Sequence, residues 1–229
     1  MILQPSSTLL GYKTACEVLR LGRAAFFGTS ERDLPIRTSE ILRQDDLTPS
    51  FGFVGARYTE RRVLFLGINP GNGPSNDGRT PEDRRMMPQL RAFAAQPTPE
   101  SFVAASRSYC EACVKWSVWT RHCVPILEKC KLDCNEIAYA NALPWRTASQ
   151  AKFDDDVAAK AALLFTGPLI NELEPKLVIA LGKRASDVIG GTVHFPAKIF
   201  VWNRAQAATS AVVADRERTA RAIMDHLRN

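Results

Sequence analysis

The sequence predicts an α/β fold: three layers, α/β/α, around a central and mainly four-stranded parallel sheet. Three observations predict it. Short runs of strand-forming residues recur at Val63–Leu66, Glu136–Ala142, Leu177–Leu181 and Lys198–Trp202, and unbroken apolar runs of this kind suit strands covered on both faces. Each run stops at a turn signal: Gly67, Leu143-Pro144, Gly182 and Asn203. Segments of helical period lie between the runs, as crossovers between parallel strands require. With 229 residues, 45% of them hydrophobic, a single domain spanning 1–229 with a sizeable core is expected. Residues 1–60 read as a helical and loop extension packed on it.

Within that extension, Cys16, Val18, Leu19, Ala24 and Phe27 fall at roughly helical spacing and predict a helix over Thr14–Phe27. Residues 28–60 mix charge, Pro and Gly and read as loops around short elements, with Phe51, Phe53 and Tyr58 packing on the sheet or lining a cleft. The first strand, Val63-Leu64-Phe65-Leu66, must stop at Gly67-Ile68-Asn69-Pro70-Gly71, because Pro70 fixes φ and removes a donor while Gly71 permits positive φ. A long polar loop from Asn72 to Arg85 follows, of a length that in compact domains is functional or disordered.

Helices are predicted over Pro88–Ala95, Pro99–Arg107 and 115–131, the last with Pro125 as a kink. Glu136–Ala142 is the second strand. Asp154-Asp155-Asp156 precedes an Ala/Leu-rich stretch, and acidic residues at a helix start offset its dipole. Gly167-Pro168 reads as a break that starts the next helix. The third and fourth strands are Leu177–Leu181 and Lys198–Trp202. The final helix, Ser210–Leu227, has an apolar face of Val213, Ala220, Ile223, Met224 and Leu227.

Composition narrows the function classes. No apolar run approaches about 20 residues, so no membrane span is expected. The N-terminus, Met1-Ile2-Leu3-Gln4-Pro5, lacks a basic region followed by an apolar core, so no signal peptide is read and a cytoplasmic location is expected, with a nuclear one left open. The net charge of +6 suits an anionic partner. Five of six cysteines fall between Cys110 and Cys134. Their spacing misses the paired Cys-x-x-Cys zinc pattern, and they read as reduced structural thiols, with no metal and no cofactor.

In a parallel sheet all strand carboxyl ends share one rim, where ligands bind. The first strand leads to Asn69 and then Arg79, Arg84 and Arg85. The second leads to Asn141 and Arg146, the third to Lys183 and Arg184, and the fourth to Asn203 and Arg204. An amide offers a donor and an acceptor, which suits a nucleobase edge. Basic side chains and a helix start suit phosphates.

Gly67-Ile68-Asn69-Pro70-Gly71 resembles motif A of the uracil-DNA glycosylase superfamily, in the form carried by its mismatch-specific thymine/uracil branch. Asn72-Gly73-Pro74 is similar to the uracil-specific branch, whose motif runs Gly-Gln-Asp-Pro-Tyr-His-Gly-Pro. Glu174-Pro175-Lys176 and the following Leu177–Gly182 look like the superfamily's helix end, Pro, apolar strand and Leu-Gly. Asn141 falls where the uracil-specific and iron–sulfur branches place their uracil-reading Asn. The resemblance covers about residues 63–229, with motif A its specific part. Motif B departs from the family: Asn203-Arg204-Ala205-Gln206-Ala207 stands where members have His-Pro-Ser or Asn-Pro-Ser-Gly. Asn203 matches the Asn of the second form, and no Pro-Ser follows. The iron–sulfur branch places a Cys pair before motif A, where only Cys16 stands here.

The resemblance implies a monofunctional, monomeric DNA glycosylase that hydrolyses the glycosidic bond of uracil in DNA and binds uracil-containing or abasic DNA. Asn69 would hold the attacking water, since an amide is no strong base, and Asp77 would assist electrostatically; a solvated loop carboxylate is the alternative for Asp77. Gly67, the main chain at Ile68, Asn141 and Asn203 would contact the base. Gly71 stands where the uracil-specific branch has a pocket-closing Tyr, which implies room for a 5-substituent. Arg84, Arg85, Arg146, Lys183, Arg184 and Arg204 would meet phosphates. Phe93, Trp145 and Phe51 are the aromatic residues available to stack on the base. No Lys occupies a motif position for Schiff-base chemistry. Two other classes remain open: a module that holds uracil or abasic DNA without turnover, favoured by the altered motif B, and a small-nucleotide enzyme on a doubly wound fold, which would want a Gly-x-Gly-x-x-Gly loop that does not follow the first strand.

Overall fold

The computed structural model describes residues 3–4, 6–27, 48–68, 81–145, 155–190, 197–205 and 209–228. Among them run five strands: β1 (Phe53–Val54), β2 (Val63–Gly67), β3 (Ile137–Asn141), β4 (Leu177–Leu181) and β5 (Lys198–Trp202). They lie in the order β1-β3-β2-β4-β5. The four longer strands are parallel, and β1 adds to β3 in antiparallel sense. The expected four-stranded parallel sheet is therefore present with a short fifth strand that no periodicity announces. Its position depends on tertiary contact: Gly52, at φ 86°, lies so close to the Tyr139 carbonyl that a side chain would collide with it.

Helices cover both faces. Between β2 and β3 come α4 (Pro81–Ala95), α5 (Pro99–Cys113) and α6 (Val124–Cys130), after the early helices α1 (Tyr12–Leu21), α2 (Arg23–Phe27) and α3 (Tyr58–Arg61). Between β3 and β4 come α7 (Asp155–Ala161) and α8 (Gly167–Leu173), then α9 (Lys183–Gly190) before β5 and α10 (Ser210–Arg228) after it. The apolar alternation along β2 sorts the core. Val63 and Phe65 join Met86, Phe93, Tyr109, Ile126 and Ile223 on one face, while Leu64 and Leu66 join Phe165, Ile170, Leu173 and Ile189 on the other. α4, α5, α6 and α10 thus cover one face, and α7, α8 and α9 the other. The chain leaves β2 toward β3 and returns past β2 to β4 on the opposite face, which makes the carboxyl ends of β2 and β4 a topological switch point.

Several elements differ from expectation, each for a local reason. The first helix is broken at Gly22, whose φ of 70° is not helical. The helix expected from Pro88 begins at Pro81, so 81–85 are helical and not loop. Its buried stripe of Met86, Met87, Leu90 and Phe93 continues across Pro88, which sits on the exposed side. The helix from Pro99 runs on to Cys113, started by a capping box between Thr98 and Ser101. The 115–131 helix has a π-helical turn at Trp119–Cys123, closed by Val124 N–H on the Trp119 carbonyl. Gly167-Pro168 does not break its helix; a second π turn, Ala162–Thr166, closes with Gly167 N–H on the Ala162 carbonyl. Both π turns end directly before a helix whose second residue is proline, Pro125 or Pro168. The wider turn relieves the clash a proline ring makes with the carbonyl four residues back. β5 is an edge strand, with Lys198 and Val201 exposed. Val213 is 46% exposed and lies off the apolar face of α10.

The N-terminal segment is tied down by a carboxylate. Gly11 offers no side-chain cap to α1, and Glu172 of α8 takes that role. Its oxygens accept from Gly11 N at 2.8 Å, Lys13 N at 3.2 Å, Thr14 N at 2.8 Å and Thr14 Oγ1 at 2.6 Å. An acidic group at a helix start also meets the dipole. Glu172→Ala should cost about 1–3 kcal/mol in urea unfolding. Equal stability of variant and wild type would show that water caps α1 as well as the carboxylate does.

Candidate functional site

The parallel register brings the strand ends to one rim: Gly67 pairs with Asn141, and Leu181 with Trp202. β2 continues into a tight edge, where the Gly67 carbonyl accepts from Ala142 N at 2.8 Å and the Ile68 carbonyl from Leu143 N at 2.9 Å. Each carbonyl thereby accepts one hydrogen bond from the protein and keeps a second lone pair. Asn69, Gly71, Asp77 and Arg146 lie outside the described residues.

Asn141 is 1% exposed. Its Nδ2 donates to Tyr109 Oη at 3.3 Å, and its Oδ1 has no hydrogen-bond partner. That oxygen lies over Gly67: a Cβ there would fall well inside contact distance of Asn141 Oδ1 and 3.2 Å from Tyr139 Oη. Gly67 is therefore required by close approach and not by a turn. A buried acceptor without a partner costs about 1–3 kcal/mol. Among the described residues the other such side-chain atoms are Ser50 Oγ, His122 Nδ1 and Trp202 Nε1.

Beyond β5 the loop is braced from α10. Asn203 Nδ2 donates to Asp215 Oδ2 at 3.1 Å, while its Oδ1 accepts from Ala205 N at 2.9 Å. Arg216 donates from Nε to the Asn203 carbonyl at 2.9 Å and from a terminal nitrogen to the Ala205 carbonyl at 3.0 Å, with its guanidinium 5.9 Å from the Trp202 ring centre. One donor and one acceptor of the Asn203 amide are thus engaged within the protein, and Asn203 shapes the loop. The loop it shapes carries Arg204, which is exposed and lays its stem across the exit of β4: a Cβ on Gly182 would meet Arg204 Cδ at 3.5 Å. Lys183 and Arg184 start α9 at the same exit, Lys183 paired with Asp187 at 2.8 Å. Arg84 and Arg85 are exposed near the start of α4.

His122, which no sequence signal marked, sits in the first π turn and is 9% exposed. Burial holds its imidazole down at about 4, and the positive charges of Arg204, Arg216 and Arg121 push the same way. Tyr139 shares a face with Asn141 two residues on, and burial raises its phenol well above the ordinary value. Of the stacking aromatics, Phe93 and Trp145 are core residues, 1% and 3% exposed. Trp145 packs edge-on to Phe26 at 4.7 Å and Phe93 lies edge-on to Phe51 at 5.8 Å, which leaves Phe51 as the half-buried one. The thiols of Cys110, Cys113 and Cys123 are pushed up by burial, Cys130 to about 12 and Cys134 to about 11. None of the six cysteines is joined in a disulfide, and among the described residues no three His, Cys, Asp or Glu side chains are grouped to hold a metal ion. No described helix is long and apolar enough to cross a membrane. A groove of about 760 Å³ lined by Arg61, Arg62, Glu174, Pro175, Lys176 and His226 opens at the opposite, amino end of the sheet, away from Asn141. Compared with models of known protein families the chain matches none, and it matches no curated protein.

Gly67→Ala should drive the Asn141 amide from its place and cost about 1–3 kcal/mol through overpacking. An unchanged Asn141 side-chain amide resonance together with unchanged urea unfolding would show that the strands part freely.

His122 makes stability depend on pH. It takes up a proton near 6.5 when unfolded and near 4 when folded. Between those values the unfolded chain holds more protons, so stability should fall as pH drops from about 6.5 toward 4. The part due to His122 is on the order of 2 kcal/mol. Urea unfolding of wild type and His122→Gln at pH 7 and pH 4.5 measures it, and an identical loss in both proteins would assign the pH dependence to other groups.

Proposed function

We propose that the protein is a monofunctional DNA glycosylase of the uracil-DNA glycosylase superfamily, hydrolysing the bond between uracil and deoxyribose and leaving an abasic site. One observation carries the reading. The strand that delivers Gly67-Ile68-Asn69-Pro70-Gly71 ends in register beside Asn141, whose buried Oδ1 lacks a partner. An amide with an unsatisfied oxygen at the carboxyl rim of the sheet is what an extruded base edge needs.

The chemistry follows from the bond. A water oxygen attacks C1′, the C1′–N1 bond breaks with its electrons going to the base, and the water's proton is lost to solvent or to the departing base. Positive charge grows on the sugar and negative charge on the base, and the site must stabilise both. Asn69, the residue after Ile68, holds the water in line, so its contribution is orientation. Asp77 supports the sugar charge. Asn141 takes the Watson–Crick edge. Arg204, Lys183 and Arg184 meet the phosphates, with Arg84 and Arg85 from the first turns of α4 and Arg146 from the segment after β3. Gly71 leaves the 5-position of the base uncovered, so 5-substituted uracils belong to the proposed substrates.

A second reading, a protein that holds uracil or abasic DNA without turnover, is favoured by Asn203. Its amide is bound to Asp215 and Ala205, and no Pro-Ser follows it, so the loop where relatives stabilise the leaving base differs here.

Incubating the protein with uracil-containing DNA and cleaving abasic sites with alkali separates the readings. Strand breaks above control are expected. Asn69→Ala should slow their formation about 100- to 1000-fold, as the loss of one preorganised polar group does, with DNA binding retained. Binding without breaks would favour the second reading, and neither binding nor breaks would remove both.

A further inference from the structure

We infer that Tyr109 is a positioning residue: it sets the direction of the Asn141 amide so that the acceptor end is the one left without a partner, and the site thereby selects bases carrying an N–H at the recognised edge. The inference rests on the proposed role of Asn141. It adds a residue from a helix, α5, that neither a strand end nor a motif marks.

The geometry points to Tyr109 in three ways. Tyr109 Oη is the partner of Asn141 Nδ2, at 3.3 Å. The tyrosine is itself immobilised, being 0% exposed and packed against Trp116, with ring centres 5.1 Å apart and nearly perpendicular, and against Tyr139 at 6.3 Å. The other end of the amide, Oδ1, is buried and unpartnered above Gly67. A side-chain amide reads by direction, because its two ends differ only in being donor or acceptor. With Nδ2 held, the oxygen is the end left without a partner, and the second Nδ2 hydrogen remains for a ligand carbonyl. That pair of groups matches an imide edge, N–H beside C=O, as in uracil and thymine. Cytosine presents the reverse, a ring nitrogen acceptor beside an amino donor. Accepting it requires the amide to turn over, and the Tyr109 hydroxyl to change from acceptor to donor in the same step. The tyrosine therefore couples the direction of the amide to its own.

Tyr109→Phe removes the hydroxyl and keeps the ring. Excision of uracil should fall about tenfold, the worth of one hydrogen bond, with affinity for undamaged DNA nearly unchanged. The preference for uracil over cytosine should fall by a similar factor, a readout that loss of packing alone would not move. A folded variant with the wild-type rate and preference would overturn the inference. A second measurement depends neither on the variant folding nor on catalysis. In wild type, the Asn141 side-chain NH₂ should give two distinct, slowly exchanging proton resonances, and millimolar free uracil should shift them while 3-methyluracil, which lacks the N–H, should not. Equal responses to both bases, or an averaged and fast-exchanging NH₂, would overturn it. Absence of excision by wild type, with the selective shift intact, would instead remove the catalytic reading and leave the role of Tyr109 standing.

Discussion

The close approach of Asn141 to Gly67 is the contact on which the rest of the site depends. Two parallel strands end together, and the side chain of one lies over the backbone of the other because that backbone has no Cβ to hold it off. Neither strand can retreat. β2 lies between β3 and β4 with every residue buried, and helices press on both faces. The amide is therefore kept where its oxygen finds no partner, at a cost a freely relaxing surface would avoid. Buried polar groups are paired as a rule, and the exceptions mark places where something other than stability has shaped the chain.

How much of this was legible in the sequence follows from what each element depends on. β2 and β4 are unbroken apolar runs closed by glycine, so pattern alone locates both them and their exits. Asn141 and Ile68 were legible for the same reason: they are the residues at such exits. β1 was not, because two residues carry no period and its place depends on Gly52 lying against the Tyr139 carbonyl. The start of α4 was misplaced because Pro88 has the chemistry of a helix start, whereas the stripe of Met86, Met87, Leu90 and Phe93 overrides it. Tyr139 could have been found as the neighbour two residues before Asn141, on the same face of the strand. Tyr109 and His122 could not. Tyr109 occupies a core position in the apolar period of α5. His122 lies in a π turn, whose extra residue rotates everything beyond it by about 100° against α-helical expectation.

The loop after β5 shows one constraint met by other means. A proline would stiffen such a loop covalently. Here the stiffening is supplied from outside: Arg216 grips two carbonyls of the loop, Asp215 holds the Asn203 amide, and that amide turns back on Ala205 N. Hydrogen bonds from a packed helix can define a loop as well as a ring can, provided the helix itself is fixed. α10 is fixed through Ala220 and Ile223, both in the core. The consequence is chemical: an arginine stem crosses the exit of β4.

That arginine bears on the charge of the rim. Arg204, Arg216 and Arg121 act on His122, and burial opposes its protonation more strongly still. A cationic imidazole among them would add repulsion inside the protein, where screening is weak. Keeping it neutral leaves the positive charge around it to guanidinium groups, which do not lose their protons in the range where proteins fold. The imidazole therefore stays uncharged across neutral and mildly acidic pH, while the stability of the fold around it declines over the same range.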